Sequence, residues 1–262
     1  MILTVDMGNS DIVFGVFKNE ALIATFRTST LRYKSVDEYV NTIKELLFSK
    51  GIDYKLVKDC IMSSVVPQLT STLVGAIDAT FDMKPLVLMP GIKTGLAIKA
   101  DNPAEVGSDL IAGCVGAIIR YGKPSIVIDL GTATKICAVD KEGTFAGCII
   151  APGVKVAASA LVKLASQLPN ISMIKPKRVI GNNTVDSMNS GVVYGNASMI
   201  DGFVSRFEDE LGYKCKIVAT GGLSGVIIPA CQTKGITIDK DLILYGLYEI
   251  YLRNKPTRKE VK

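Results

Sequence analysis

The chain has 262 residues, of which 48% are hydrophobic and 21% charged, with a formal charge of +5; this is an ordinary globular α/β composition, large enough for one sizeable domain or two small ones. No run approaches the roughly 18 to 20 uninterrupted apolar residues of a membrane span, and the most apolar stretch, 148–164, is broken by Pro152, Gly153 and Lys155. There is no histidine, which excludes Ser-His-Asp and Cys-His catalysis, histidine phosphotransfer and histidine metal ligation, and leaves carboxylates, lysines, backbone dipoles and bound ions to carry any chemistry.

Residues 2–6, 12–17 and 21–28 predict three strands, the last two joined by the tight polar turn Lys18-Asn19-Glu20. A strand beginning at residue 2 leaves no room for a secretory leader, so a cytoplasmic protein is expected. Ser35-Val36-Asp37-Glu38 has the capping-box pattern, and Val36, Tyr39, Val40, Ile43, Leu46 and Leu47 share one helical face before Gly51. Strand character resumes over 60–66, and Pro67 opens a helix to about residue 81. Residues 86–88 read as a short strand and 91–103 as a loop-rich crossing. Gly107-Ser108-Asp109 introduces a helix over 110–121, with Ser108 or Asp109 at its N-terminal end.

Gly122-Lys123-Pro124 is the best candidate boundary, dividing the chain into domains 1–122 and 123–262. After it the order repeats: a strand to Asp129, a strand over 136–139, a turn at 140–143 and a strand over 144–150. Helices follow at 154–166 and 184–211, then an apolar strand over 216–220 and a last helix over 239–253. The basic tail from Arg253 lacks aromatic interleaving and reads as a solvated end, so no nucleic-acid partner is expected. Six cysteines without a Cys-x-x-Cys pair predict reduced, buried thiols in place of disulfides or zinc.

One short signal occurs twice. Ile2-Leu3-Thr4-Val5-Asp6-Met7-Gly8-Asn9-Ser10 opens the chain, and Ile126-Val127-Ile128-Asp129-Leu130-Gly131-Thr132-Ala133-Thr134 stands about one domain length later. A lone Asp-x-Gly would arise by chance about once in a chain of this size. Two, each after a β-branched apolar run, predict a duplicated fold with two phosphate-handling hairpins facing each other across a cleft. Gly8 and Gly131 let backbone N–H groups approach an anion, and Asn9, Ser10, Thr132 and Thr134 add donors for phosphate oxygens. Asp6 and Asp129 supply the negative charge that a cation accompanying those phosphates requires. A third glycine turn, Ala219-Thr220-Gly221-Gly222-Leu223-Ser224, either seats a nucleotide's base and ribose or is simply a turn. Hairpin trios followed by helix–strand alternation in both halves predict an α/β chain of duplicated mixed-sheet domains.

The three glycine turns together resemble the sugar kinase, heat-shock-70 and actin superfamily, which implies two actin-like (ribonuclease H-like) domains. A finer resemblance covers nearly the whole chain. Asp6-Met7-Gly8-Asn9-Ser10, Ser63-Ser64-Val65-Val66-Pro67, Lys93-Thr94-Gly95-Leu96, Asp101-Asn102-Pro103 and Glu105-Val106-Gly107-Ser108-Asp109 are similar to the pattern of type III pantothenate kinases. So are Asp129-Leu130-Gly131-Thr132-Ala133-Thr134, Ala151-Pro152-Gly153, the run from Gly181 to Met188, Tyr194-Gly195 and Thr220-Gly221-Gly222-Leu223.

The resemblance implies ATP-dependent phosphorylation of pantothenate to 4′-phosphopantothenate, the first step of coenzyme A synthesis, by a homodimer. It assigns Asp6, Gly8, Asn9, Ser10, Thr132, Gly221 and Gly222 to ATP, accompanied by Mg2+, and Asp109 as acceptor of the substrate hydroxyl proton. Gly107, Ser108, Asp109, Leu110 and Thr184 would serve the substrate. Asp129, with Asp6, would serve metal, Asp129 holding a monovalent cation, potassium or ammonium.

Three positions depart from the family's pattern. Leu110 stands where Gly-x-Asp-Arg has arginine, Ala100 where Tyr-Asp-Asn-Pro has tyrosine, and Lys135 where Thr-Ala-Thr-Thr has its last threonine. Lys135 places a cation beside the phosphate loop or on a solvent-facing strand position. Two alternatives stay open at this point: a catalytically impaired nucleotide-binding homologue with a regulatory role, and a kinase for another small alcohol.

Overall fold

The computed structural model describes residues 1–255, so the end of the basic tail lies outside the described residues. Strand β1 (Ile2–Met7) buries Leu3, Val5 and Met7 and pairs antiparallel with β2 (Asp11–Lys18). Strand β3 (Ala21–Ser29) follows through a hairpin whose Asn19 and Glu20 have φ of 49° and 69°, the left-handed pair that matches the strand twist. Helix α1 (Val36–Ser49) starts on the predicted capping box: Ser35 accepts from the Glu38 backbone N–H, and the Glu38 carboxylate accepts from Ser35 N at 2.7 Å. Its buried face is Tyr39, Ile43 and Leu47, each worth about 1.5–3 kcal/mol on burial. Strand β4 (Asp59–Ser64) lies parallel to β1, α2 (Pro67–Phe81) begins at its proline, and β5 (Leu86–Val87) closes a sheet of order β3-β2-β1-β4-β5.

The crossing at 91–103 contains a two-residue strand, β6 (Ala97–Ile98), and precedes α3 (Ser108–Tyr121). Then the first sheet's pattern recurs. Strand β7 (Ser125–Leu130) pairs antiparallel with β8 (Ala133–Val139), and β8 with β9 (Thr144–Pro152). Helices α4 (Val154–Leu164) and α5 (Thr184–Leu211) precede β10 (Lys216–Thr220), which lies parallel to β7 as β4 does to β1. The short helix α6 (Ser224–Ile227) and strand β11 (Ile236–Ile238) complete a sheet of order β11-β10-β7-β8-β9-β6. Apart from β6 the two sheets correspond strand for strand. The second core sets Ile126, Ile128 and Leu130 against Val193, Ala197, Ile200 and Val204 of α5.

Helix α7 (Leu242–Asn254) ends the described chain and covers the face of the first sheet that carries Phe17. The Phe17 ring stacks on Tyr248 at 4.2 Å and meets the edge of Tyr245 at 5.3 Å. The chain accordingly forms two compact units. The first comprises Met1–Leu96, Asn102–Gly116 and the described chain from Ile243; the second comprises Ala97–Asp101 and Ala117–Leu242. The division expected at residues 122/123 falls near the change of unit inside α3, but β6 joins the second sheet by pairing with β9, and α7 returns to the first unit.

Candidate active site

The turn after β1 is held from both sides. Gly8 N donates to Asp11 O at 3.0 Å, while Thr30 Oγ1 donates to Gly8 O at 2.7 Å and Thr30 N to Ser10 O at 2.8 Å. Asn9 and Ser10 are exposed at its tip. Behind it Asp6 stands opposite Val13 on one side and Ser63 on the other, and the buried Ser63 hydroxyl donates to Asp6 Oδ1 at 2.6 Å. The donated bond fixes the carboxylate's orientation at the end of β1.

The next residue of β4 carries the start of α3 to the same corner. Ser108 Oγ donates to Ser64 O and accepts from Ser64 N, both at 3.2 Å. Asp109 lies in the first turn of α3, where the helix N-terminus favours a carboxylate, and its Oδ1 accepts from Leu110 N at 2.8 Å. A side chain at Gly107 would put Cβ 2.6 Å from that oxygen, so glycine is what leaves room for the Asp109 carboxylate. Asp6, Gly8, Ser63, Ser64, Gly107, Ser108 and Asp109 thus share one corner of the first unit. Leu110 is 8% exposed and belongs to the buried side of α3, while Ala100 is exposed.

The corresponding turn of the second unit, Gly131-Thr132, is built by close backbone approach. Gly221 has φ +91° and a Cβ there would lie 2.6 Å from the Leu130 carbonyl; one on Gly153 would lie 2.1 Å from Thr132 O. Thr132 and Gly222 are exposed. Thr134 corrects the sequence reading: it is fully buried opposite Leu130, and its hydroxyl has no hydrogen-bond partner among the described residues, so it is not a donor at the turn.

Asp129 stands between Lys135 on β8 and Thr220 on β10. Lys135 Nζ lies 2.6 Å from Asp129 Oδ2, with each side chain only 15% exposed. The solvent-facing alternative for Lys135 is thereby overturned; the cation is turned onto the aspartate. This arrangement does not fit a second monovalent ion at the same carboxylate. At about 4 Å from Nζ such an ion would meet roughly 4 kcal/mol of repulsion at an effective dielectric near 20, which offsets a similar attraction to Asp129.

Thr184 opens α5. Asn183 caps that helix by accepting from Asp186 N at 2.9 Å, and Thr184 lines a cavity of about 820 Å3 with Val154, Ala157 and Leu161 of α4 and Ser187 and Asn196 of α5. The size and the mix of apolar wall and few polar groups suit a small organic molecule. Among the described residues no three Cys, Asp or Glu side chains gather as a metal cage. All six cysteines are free; burial pushes the Cys215 thiol up to about 11 and the Cys231 thiol up to about 12, which makes both poor nucleophiles.

Two sheets of matching strand order, each ending its first strand in Asp-x-Gly beside a parallel neighbour, define the actin-like ATPase fold shared with sugar kinases and heat-shock-70 proteins. Solved structures agree on that fold. A conserved putative Baf family transcriptional activator from Campylobacter jejuni superposes with a TM-score of 0.64 at 19% identity, over 97% of this chain and 100% of that one. The activator of the 2-hydroxyisocaproyl-CoA dehydratase from Clostridium difficile, with bound ADPNP, gives 0.56 at 14% identity over 100% and 98%. A family profile described as type III pantothenate kinase matches residues 2–206. The type III pantothenate kinase of Halalkalibacterium halodurans is 43% identical over 254 residues, 97% of this chain and 100% of that protein. The chain belongs to the type III pantothenate kinase family, phosphotransferases that use ATP to phosphorylate pantothenate in coenzyme A biosynthesis.

Proposed function

We propose that this chain transfers the γ-phosphoryl group of ATP to the primary hydroxyl of pantothenate with Asp109 as the proton acceptor. The observation that carries the assignment is the Ser64–Ser108 lock, which fixes Asp109 at a helix N-terminus beside Asp6 and the Gly8 turn. Phosphoryl transfer asks mainly for alignment and charge neutralisation. The hydroxyl oxygen forms the new P–O bond, the bond to ADP breaks, and the proton passes to the Asp109 carboxylate.

Asp6, Gly8, Asn9 and Ser10 of the first unit, and Thr132, Gly221 and Gly222 of the second, are assigned to ATP. Mg2+ would be held chiefly by the phosphates, with Asp6 behind the first turn as the carboxylate assigned to it, because this ion keeps few protein ligands. Gly107, Ser108 and Leu110 position Asp109, and Thr184 with its cavity is assigned to the pantothenate chain. The reaction is placed in the cytoplasm. Ile174, Val179, Ile180 and Leu164 are exposed at 62% or more, and an apolar set of that kind supports a homodimer.

The test is ADP release from ATP on addition of pantothenate, with the product identified by mass. Asp109→Asn is expected to lower kcat by about 100- to 10,000-fold while ATP binding stays intact. ADP release that ignores pantothenate, or an Asp109→Asn variant of undiminished rate, overturns the assignment.

A further inference from the structure

Lys135 occupies the place that Val13 holds in the first unit: each is the residue directly opposite the aspartate of its Asp-x-Gly on the antiparallel neighbour strand. The duplication therefore sets a built comparison inside one chain. One aspartate faces a methyl-bearing side chain and takes a serine hydroxyl; the other faces an ammonium group at 2.6 Å. That group is not a surface lysine that has found a partner, since both members are 15% exposed and their backbones are locked in register.

We infer that the Lys135 ammonium is a tethered monovalent cation at Asp129, and that pantothenate phosphorylation by this chain needs no added potassium or ammonium. An ammonium carries a single positive charge and three donors, so it can serve a carboxylate and a neighbouring anion as a small ion would. Delivery to the phosphate turn is geometric: the Cβ position of Gly131 is 3.4 Å from Asp129 Oδ1, which puts the paired carboxylate beneath the turn assigned to ATP. Tethering makes the contact intramolecular, so a dissolved ion must displace a group whose effective concentration is far higher. The inference rests on the assignment of that turn to ATP.

The experiment uses the full chain, with Tris salts of ATP and pantothenate, constant magnesium, and potassium chloride or ammonium chloride added or left out. Wild type is expected to turn over at the same rate within about twofold in all three conditions. Lys135→Met, checked for folding by its thermal midpoint, is expected to lose about tenfold or more without added salt and to regain much of it with ammonium or potassium. A plain structural ion pair would not give that rescue. Stimulation of wild type by about tenfold, or a Lys135→Met variant as fast as wild type without salt, overturns the inference. Calorimetric ATP affinity of wild type provides a readout independent of turnover: it should not respond to potassium, and a tightening of about tenfold overturns the inference. Absence of pantothenate-dependent ADP release under every cation would instead overturn the function proposed above, and the ATP affinity would still decide the role of Lys135.

Discussion

Single residues separate what the family pattern carries over from what this chain has changed. Removing the Asp129 carboxylate takes away the 2.6 Å ion-pair partner of the mostly buried Lys135 ammonium. Asp129→Asn should therefore cost about 3 kcal/mol in urea unfolding as well as turnover. The double variant Asp129→Asn/Lys135→Met buries no charge and should recover most of that stability while its turnover stays low. A double variant no more stable than the single one would show that the pair is not what holds this corner. Leu110→Arg, which restores the family's residue, places a guanidinium at a position 8% exposed. The expected outcome is a loss of about 2–3 kcal/mol and no gain in kcat/KM, read from the thermal midpoint and steady-state rates. The two aspartates were legible as Asp-x-Gly after apolar strands. The Lys135 contact was not, because Ala133-Thr134-Lys135 lacks apolar alternation and the strand is read as starting at Ile136. Only the register, which begins β8 at Ala133, turns Lys135 toward Asp129.

Elements with their own stop and start chemistry were legible, and elements that exist through a partner were not. The capping box of α1, Pro67 at the start of α2 and the limits of α5 at 184 and 211 all stand where sequence places them. Strands β6 and β11 and helix α6 have two to four residues each, too few for a period. Pairing with β9 and β10 defines the two strands. The cap of α5 connects an element to the site, because Asn183 fixes the first turn that begins with Thr184. Asn183→Ala is expected to cost about 1 kcal/mol of stability and to raise the pantothenate KM with little change in kcat. A fall in kcat at constant KM would instead tie this helix end to the chemical step.

At the scale of the whole molecule the duplicated strand order was legible from the repeated signal, whereas the destination of α7 was not. Helical periodicity defines an apolar face but not its partners, which are the Phe17 face of the first sheet and α3: a Cβ on Gly246 would lie 1.8 Å from Ala112 O. Gly246→Ala should lose about 3 kcal/mol or more by forcing the two backbones apart. Gly202→Ala in α5, where the added methyl meets nothing within 4 Å, should gain up to about 1 kcal/mol, so the pair separates helix crossing from helix propensity. The absence of histidine gives the molecule a second global property. With no imidazole to titrate, side-chain ionisation leaves stability nearly flat between about pH 6 and 8. Above that range the sign is set by thiols and phenols. Burial, then the Asp201 charge, raises Cys231 to about 12; burial, then Glu208, raises Cys215 to about 11; burial, then Asp59, raises Cys60 and Tyr251 as well. From about pH 9 the unfolded chain sheds these protons while the folded chain keeps them, so the unfolded state binds fewer protons and stability falls as pH rises toward the folded values. The urea midpoint should accordingly be lower at about pH 10.5 than at about pH 7.5, and Cys231→Ala should narrow that difference. Equal midpoints at the two pH values would mean that these groups ionise as readily in the folded chain as in the unfolded one.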